Sequence, residues 1–535
     1  MATVPTQLTQ AEAHRKAGQF AEAESEYRKV LAAQPDHLDA LIGLGRTLSS
    51  LGQHSAGVAC LGRALSLQPD HPEARWALGQ ALHVFAVDLA GHGQGVQAIA
   101  MFRQALQFNP GLVDTHLQLG DLLKGQGQPA EAVRHYERAV ALKPDSIEAL
   151  TRLGMLHAEA NRSLEAIKWY KWALAVVPDD EEAHFNLAAM LECEARLAEA
   201  QIHRRRAQRP MPLIVETAPE PRRTVLIPWA AGTGNVPIDT LMPRATTTRI
   251  KWIVECATDA QEAELPPHDV VFNAIGNAEI AAFSLERMLR FCQGRTVLNH
   301  PERVMATRRD LLPDLLAGLP DVLVPRIIHV RRDEIPEDGL AARLAETGLP
   351  FPLIVRPVSC QGGKGAQRVD TEAQLAEALA SDADGFYIIA FHDSTGADGY
   401  FRKYRMIFVD GRPYPYHLAI SQNWLVHYQT ANMLEAPWKR EEERRFLEAP
   451  AETLGPRAYA AIEAIGRRLG LDYAGIDFAV IGDGTILVFE ANATMLVHLQ
   501  DAPELFPAKH AAVPKIFRAF EALLDRAIAR AKATP

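Results

Sequence analysis

Residues 127–144 read GQPAEAVRHYERAVALKP. A Gly-Gln turn opens the stretch. Ala132 stands twelve positions before the closing proline and Tyr136 stands eight before it. The same grammar recurs through the N-terminal half. Prolines fall at Pro35, Pro69, Pro110, Pro144 and Pro178, spaced 34, 41, 34 and 34 residues apart. Aligned on them, Tyr27, Phe102 and Tyr170 repeat the aromatic, with Leu61 in its place once. Ala23, Ala98 and Ala166 repeat the small residue, with Gly57 as its variant. Leu44-Gly45, Leu78-Gly79, Leu119-Gly120 and Leu153-Gly154 come early in the units. Self-similarity at this period marks a solenoid of stacked supersecondary units. Each unit reads as two antiparallel helices joined by a turn such as Gly18-Gln19 or Gly52-Gln53. The small residues permit close approach, the aromatic fills the gap to the next unit, and proline ends the second helix. The third unit carries seven extra residues within 86–97, expected as a longer loop. A sixth unit begins near Glu181, keeps Leu187 and Ala200, and ends in the basic run His203–Arg206, which suits a polar capping helix.

This pattern resembles the tetratricopeptide repeat over residues 4–212. The resemblance implies a concave face lined by the first helix of each unit, with Arg46, Asp121, Met155 and Asn186 on it. A peptide or protein partner, or a second copy in a homo-oligomer, would dock there.

The whole chain has 535 residues, enough for several domains. Its 48% hydrophobic and 23% charged residues are those of a folded globular protein. A net charge of −10 argues against nucleic acid or an anionic membrane as the general partner. Cys60, Cys193, Cys256, Cys292 and Cys360 show neither pairing nor CxxC spacing, so no disulfide framework or thiolate zinc site is expected. The first residues contain no apolar core of a secretory signal, and no long apolar run predicts a membrane span. The expected location is the cytoplasm.

Between Gln208 and Arg223 the composition shifts to RPMPLIVETAPEPRR, and residues 213–223 read as a Pro-rich linker. Short apolar runs then alternate with Gly- and Pro-rich turns. Strands are predicted at 225–227, 251–254, 269–273, 295–298, 352–355, 387–391, 404–409, 413–420, 475–480 and 485–490. Helices are predicted at 280–293, 301–316, 371–379 and 458–469. Strands mixed with helices indicate an α/β or α+β catalytic-type region.

Two motifs there carry chemistry. The strand ending in Arg356 runs into Gly362-Gly363-Lys364-Gly365, where glycines let backbone N–H groups converge on an oxyanion. Taken alone, that loop is as compatible with a structural hairpin. Further on, a Gly482-Asp483-Gly484 turn joins two strands carrying Asp477 on one and Glu490 and Asn492 on the other. Two carboxylates and an amide oxygen suit Mg²⁺, which takes few protein ligands beside phosphates and water. The plain alternative is a hairpin with an exposed polar face.

Taken together and in order, these motifs resemble the ATP-grasp superfamily, especially glutathione synthetase and the ribosomal-protein glutamate ligases. Asp269–Asn273, the run Leu298-Asn299-His300-Pro301, the helix with Thr307–Asp310 and the strand Tyr404–Val409 support the likeness. It spans about residues 224–535. The implied fold class is an all-α tetratricopeptide solenoid followed by an α+β ATP-grasp fold. An α/β pre-ATP-grasp domain would occupy 224–305 and the two-lobed ATP-grasp domain 306–535.

The resemblance implies roles for individual residues. Arg356 and Arg309 would contact the ATP phosphates, each where the family commonly has lysine. Gly362, Gly363 and Gly365 would form a flap with Lys364 at its tip. Ile389, Ala390 and Phe391 would meet adenine through backbone groups, although Ala390 replaces the family's acidic hinge residue. Asp393 or Asp398 would contact the ribose. Asp477, Glu490 and Asn492 would hold Mg²⁺, as two ions. Arg405 would steady the transferred phosphoryl group. His417 faces the unassigned loop 421–438 and is a catalytic candidate, though a lone strand histidine is more often structural. Cys360 has no base beside it and reads as incidental. The implied activity is an ADP-forming ligase joining a small-molecule carboxylate to an amine, with the repeats recruiting a peptide or protein. The alternative is a non-catalytic nucleotide sensor whose repeats are the output.

Overall fold

A computed structural model of the chain describes residues 3–208, 213–335, 348–358, 365–482, 484–499 and 501–533. Cys360, Gly362, Gly363, Lys364 and Asp483 lie outside the described residues. The chain forms two compact units, Met1–Ala183 and His184–Pro535.

The first unit is a ladder of helical hairpins: α1 (Val4–Lys16) with α2 (Phe20–Ala33), α3 (Leu38–Ser50) with α4 (His54–Leu67), and α5 (Pro72–Gly91) with α6 (Gly95–Phe108). It continues with α7 (Val113–Gly125) and α8 (Pro129–Leu142), then α9 (Ile147–Glu159) and α10 (Ser163–Val176). The recurrent alanines and aromatics form its core. Ala23, Ala98, Ala132 and Ala166 are buried, as are Tyr27, Phe102, Tyr136 and Tyr170. The glycines make room for those rings: a Cβ on Gly120 would lie 2.4 Å from Tyr136, and one on Gly154 would lie 2.5 Å from Tyr170. Gly45 stands in the same way against Leu61, the residue that replaces the aromatic. In these units the large side chain therefore fills the gap within its own hairpin. Tyr27 does reach forward to the next unit, under Gly43.

The extra residues of the third unit do not form a loop. They lengthen α5 to 20 residues, where α3, α7 and α9 have 13. Seven residues are close to two helical turns, so the apolar face of α5 keeps its phase through the insertion.

The proposed face residues are engaged with their neighbours. Arg46 pairs with Glu73 at 2.9 Å and lies over the Trp76 ring. Asp121 accepts from Tyr136 Oη (2.6 Å) and from Arg152 Nε (2.9 Å), and shares a cavity with Met155. Asn186 belongs to the second unit.

That unit starts inside α11 (Glu181–Cys193), so α12 (Leu197–Gln208) packs with the α/β region. Asp384 N–H donates to Ala195 O, and Ala198 N–H donates to the Asp384 carboxylate. The basic run is not uniformly solvated: Arg204 is buried against Glu192 at 3.0 Å and lies over the Phe185 ring. The stretch read as a linker starts with a strand, β1 (Leu213–Glu216), antiparallel to β3 (Thr247–Ile253).

The first sheet has the order β1-β3-β2-β4-β5, with β2 (Arg223–Trp229), β4 (Val270–Phe272) and β5 (Val297–Leu298). Apart from β1 its neighbours run parallel. The second sheet is antiparallel, β7-β10-β8-β9, from β7 (Ile327–Arg331), β8 (Leu353–Pro357), β9 (Gln367–Val369) and β10 (Gly385–Ala390). The third is β12-β11-β13-β14-β6, from β6 (Val322–Leu323), β11 (Phe401–Val409), β12 (Arg412–Ser421), β13 (Tyr473–Ile481) and β14 (Thr485–Asn492). One apolar core runs through the first and third sheets, joined by the helix Pro507–Ala533, whose Phe520 meets Phe272 and Tyr473 edge-on.

The Leu298–Pro301 run joins the same two sheets. Asn299, fully buried with φ +54°, donates Nδ2–H to Tyr473 O and accepts from Tyr473 N–H at Oδ1. Its own N–H donates to Asp472. Asparagine tolerates that left-handed backbone, and its amide supplies a donor and an acceptor together.

Candidate functional site

The site is built on the third sheet. Arg405 on β11 is the Cα partner of His417 on β12 and of Asp477 on β13, and Asp477 is the Cα partner of Glu490 on β14. Four candidates from distant parts of the chain therefore form one row across four strands. Register shifts fall immediately beside the row, between Arg405 and Met406 and between Asp477 and Phe478. The second shift leaves Phe489 without an opposite number, so Phe489 and Glu490, neighbours in sequence, both border the same cavity. Bulges re-aim side chains in this way.

Two opposed carboxylates repel, and cations offset the repulsion. Arg405 donates from Nε to Asp477 Oδ1 (2.6 Å) and from Nη2 to Oδ2 (2.9 Å). Lys403 Nζ lies 3.2 Å from the same carboxylate. Arg309 donates to the Glu490 carboxylate and, at 3.0 Å, to Phe489 O. Burial alone would raise the pKa of Asp477, but Arg405 and then Lys403 outweigh it and hold the carboxyl well below its ordinary range. Burial likewise opposes ionisation of Glu490, and Arg309, Arg356 and Arg405 together overcome it and the Asp477 charge. Arg309 reaches across because the helix predicted over 301–316 is two short helices, Pro301–Ala306 and Leu312–Leu316, and Arg309 lies in the turn between them.

Two cavities meet at this charged centre, and Arg309, Arg356, Arg405, His427 and Glu490 line both. The first cavity runs between the second and third sheets. Its walls include Ile327, Ile354, Ile389, Ala390 and Phe391, and on the other side Trp424, Leu425 and Val426. The same cavity thus combines apolar walls with the guanidinium groups of Arg309, Arg356 and Arg405, a surface suited to a ligand with both apolar and anionic parts. The second cavity is more polar and is bordered by Asn277, Glu279, Thr307, Asn492 and Thr494.

Several predicted residues stand differently from expectation. The N–H groups of Ala390 and Phe391 are committed to Arg326 O and Pro352 O, so neither is the donor for a base. Asp393 accepts from the N–H and hydroxyl of Thr395, and Asp398 pairs with Arg402. Gly365 is described, with φ +72°. His417 lines neither cavity; burial and the Arg405 charge push its pKa well below 6.5, and the neutral ring stacks on Tyr428. The histidine bordering both cavities is His427, in the unassigned loop. That loop is pinned from behind: Lys439 donates to Ile420 O and Ala431 O, and Lys509 lies 4.1 Å from the centre of the Tyr428 ring.

Sequence reasoning places His427 in the unassigned loop, which it reads as shaping the acceptor site, and misses Lys403, Trp424 and Glu279. Lys403 was accessible from alternation, being two positions from Arg405 on one strand. The others carry no local signal.

The donor set fits Mg²⁺ in kind: two carboxylates in register and the Asn492 amide oxygen on the same strand as Glu490. That oxygen accepts from Thr494 N–H at 2.9 Å and from its hydroxyl at 3.0 Å. Among the described residues no group of three His, Cys, Asp or Glu side chains gathers as a metal site. The four described cysteines are free thiols. No described helix is long and apolar enough to cross a membrane.

Comparison with known proteins defines the class of the N-terminal part. Residues 14–82 and 117–181 match tetratricopeptide-repeat family models, and this part of the chain is built of tetratricopeptide repeats. Among solved structures, a crystal structure of MamA is 26% identical over 31% of this chain and 94% of its own, with a TM-score of 0.27. YrrB, described as a TPR protein with an unusual peptide-binding site, is 18% identical over 34% of this chain and 90% of its own, also at 0.27. MamA from Desulfovibrio magneticus RS-1 is 18% identical over 33% and 96%, at the same score. No curated protein matches the chain.

Proposed function

We propose that residues 224–535 form an ATP-grasp ligase that joins a carboxylate to an amine with release of ADP, and that the repeats recruit a peptide or protein substrate or partner. One observation carries this reading: two cavities, one apolar-walled and one polar, share three arginines and Glu490, and Asp477 lines the first of them beside that centre.

The chemistry follows from charge. A substrate carboxylate oxygen attacks the γ-phosphorus of ATP, the bond to the β-bridging oxygen breaks, and ADP leaves. Arg356 and Arg309 neutralise phosphate oxygens, and Arg405 steadies the transferred group. Asp477, Glu490 and Asn492 would hold Mg²⁺, which when bound adds positive charge against the phosphates. The amine, after giving up the proton of its ammonium form, attacks the acyl carbon with its nitrogen lone pair; phosphate departs, and the nitrogen loses a second proton. Walls that exclude water protect the acyl phosphate. Tethering by the repeats would raise the local concentration of a bound partner.

The test is ADP release from Mg·ATP against pools of carboxylates and amines, with Glu490→Ala as control. Release that requires a substrate pair and disappears in the variant is the expected result. The alternative is a nucleotide sensor whose repeats are the output. The pairing of both site carboxylates with arginine favours it, and it predicts nucleotide binding with no substrate-dependent ADP.

A further inference from the structure

Two carboxylates line the second cavity, and they are partnered differently. Glu490 is held by a guanidinium, that of Arg309. Glu279 is held by a neutral group: Tyr387 Oη–H donates to its Oε1 at 2.7 Å. Arg308 feels the Glu279 charge at a distance, but its hydrogen bonds go to Asp310, at 2.6 and 2.8 Å. A carboxylate offers about four acceptor positions, and the phenol fills one. Among the described residues no cation forms an ion pair with Glu279, so its remaining acceptor positions are open to a partner in the cavity it lines.

The position of Glu279 is well determined. It follows β4 at the C-terminal end of a parallel strand, where open α/β sheets place their ligands. Asn277 fixes the turn, its Oδ1 accepting from the N–H groups of Glu279 and Ile280. Tyr387 is fully buried on β10 and is the Cα partner of Arg356. The phenol that orients Glu279 and the arginine that lines both cavities therefore belong to paired strands.

We infer that the second cavity takes a substrate carrying a cationic primary amine, held by the Glu279 carboxylate, with Tyr387 as its positioning residue. The cavity thus offers both signs, three arginines and an anion whose hydrogen-bond partner is neutral, to the acidic and basic groups of one substrate. The kinetic consequence rests on the ligase reading; amine binding does not.

Calorimetry on the full chain with a non-hydrolysable ATP analogue tests the binding, using glycinamide and other amino-acid amides as probes and their N-acetyl derivatives as controls. Glu279→Gln is expected to weaken amide binding at least tenfold, with the nucleotide Kd unchanged within about twofold; Glu279→Asp should restore part of the loss. Tyr387→Phe should raise the amine KM with little change in kcat. Equal binding of an amide and its N-acetyl control, or an unchanged amine affinity in Glu279→Gln, overturns the inference. Substrate-dependent ADP release with the same amine KM in wild type and Glu279→Gln overturns it and leaves the ligase reading intact. Glu279-dependent amine binding without ADP release in any pool supports it and overturns the ligase reading.

Discussion

Arg405 stands directly across the β11–β13 ladder from Asp477 and takes both of its carboxylate oxygens in a two-pronged grip. The acid is 2% exposed, so its charge depends on this partner and on Lys403. Asp477→Ala would leave two cations uncompensated in a shielded site. It is expected to cost about 3–5 kcal/mol in urea unfolding. The double variant Asp477→Ala/Arg405→Ala should recover part of the loss, and the coupling read from the cycle should exceed that of any exposed pair.

Glu443 provides a pH signature. It is buried beneath the loop that forms one wall of the first cavity, and Leu418 N–H and Tyr428 Oη–H both donate to it. Burial pushes its pKa from 4.5 to about 7, against the opposing pull of Lys509. Between pH 4.5 and 7 the folded chain therefore holds more of this proton than the unfolded chain does. Stability from this group is present in full below pH 4.5 and is lost as pH rises through 7, by about 3 kcal/mol. Urea midpoints across that window should fall more steeply in wild type than in Glu443→Gln.

Gly120 tests the packing of the repeats. An added methyl would lie 2.4 Å from the Tyr136 ring, and Tyr136 is held at its far end by Asp121. Gly120→Ala should lower stability by about 1–3 kcal/mol through overpacking. Gly62, with open space around its Cβ position, is the control: Gly62→Ala should be neutral or stabilising in thermal melts.

Ala390 bears on base selection under the ligase reading. With the N–H groups of Ala390 and Phe391 tied into the sheet, a base would be held mainly by the apolar walls around Phe391 and Trp424. Competition between ATP and GTP for a fluorescent analogue should show little preference in wild type. Ala390→Glu should shift it toward ATP, and Trp424→Ala should weaken both.

Much of this architecture could be read from residue spacing. The hairpin ladder shows because small and aromatic residues recur at fixed distances from proline, and most strands of the α/β region lie where an apolar run stands between turns; β1, inside the stretch read as a linker, and β7 and β9 escape that reading. The row His417–Arg405–Asp477–Glu490 was legible as four separate candidates but not as a row. Cross-strand register depends on two bulges with no signature in the sequence. The reach of Arg309 to Glu490 needed a break in a helix, and the engagement of Asp393 needed Thr395 two positions on. Glu279 stayed hidden because its significance comes from Tyr387, more than a hundred positions away.

The lengthened α5 has a bearing on how such arrays change size. A first helix that grows by seven residues keeps the same side chains against its neighbours, whereas growth by five would rotate them by about 140°, out of the core. Length in these hairpins is thus quantised. Removing residues 84–90 should return a standard unit that still stacks, while removing five of them should break the ladder at that rung.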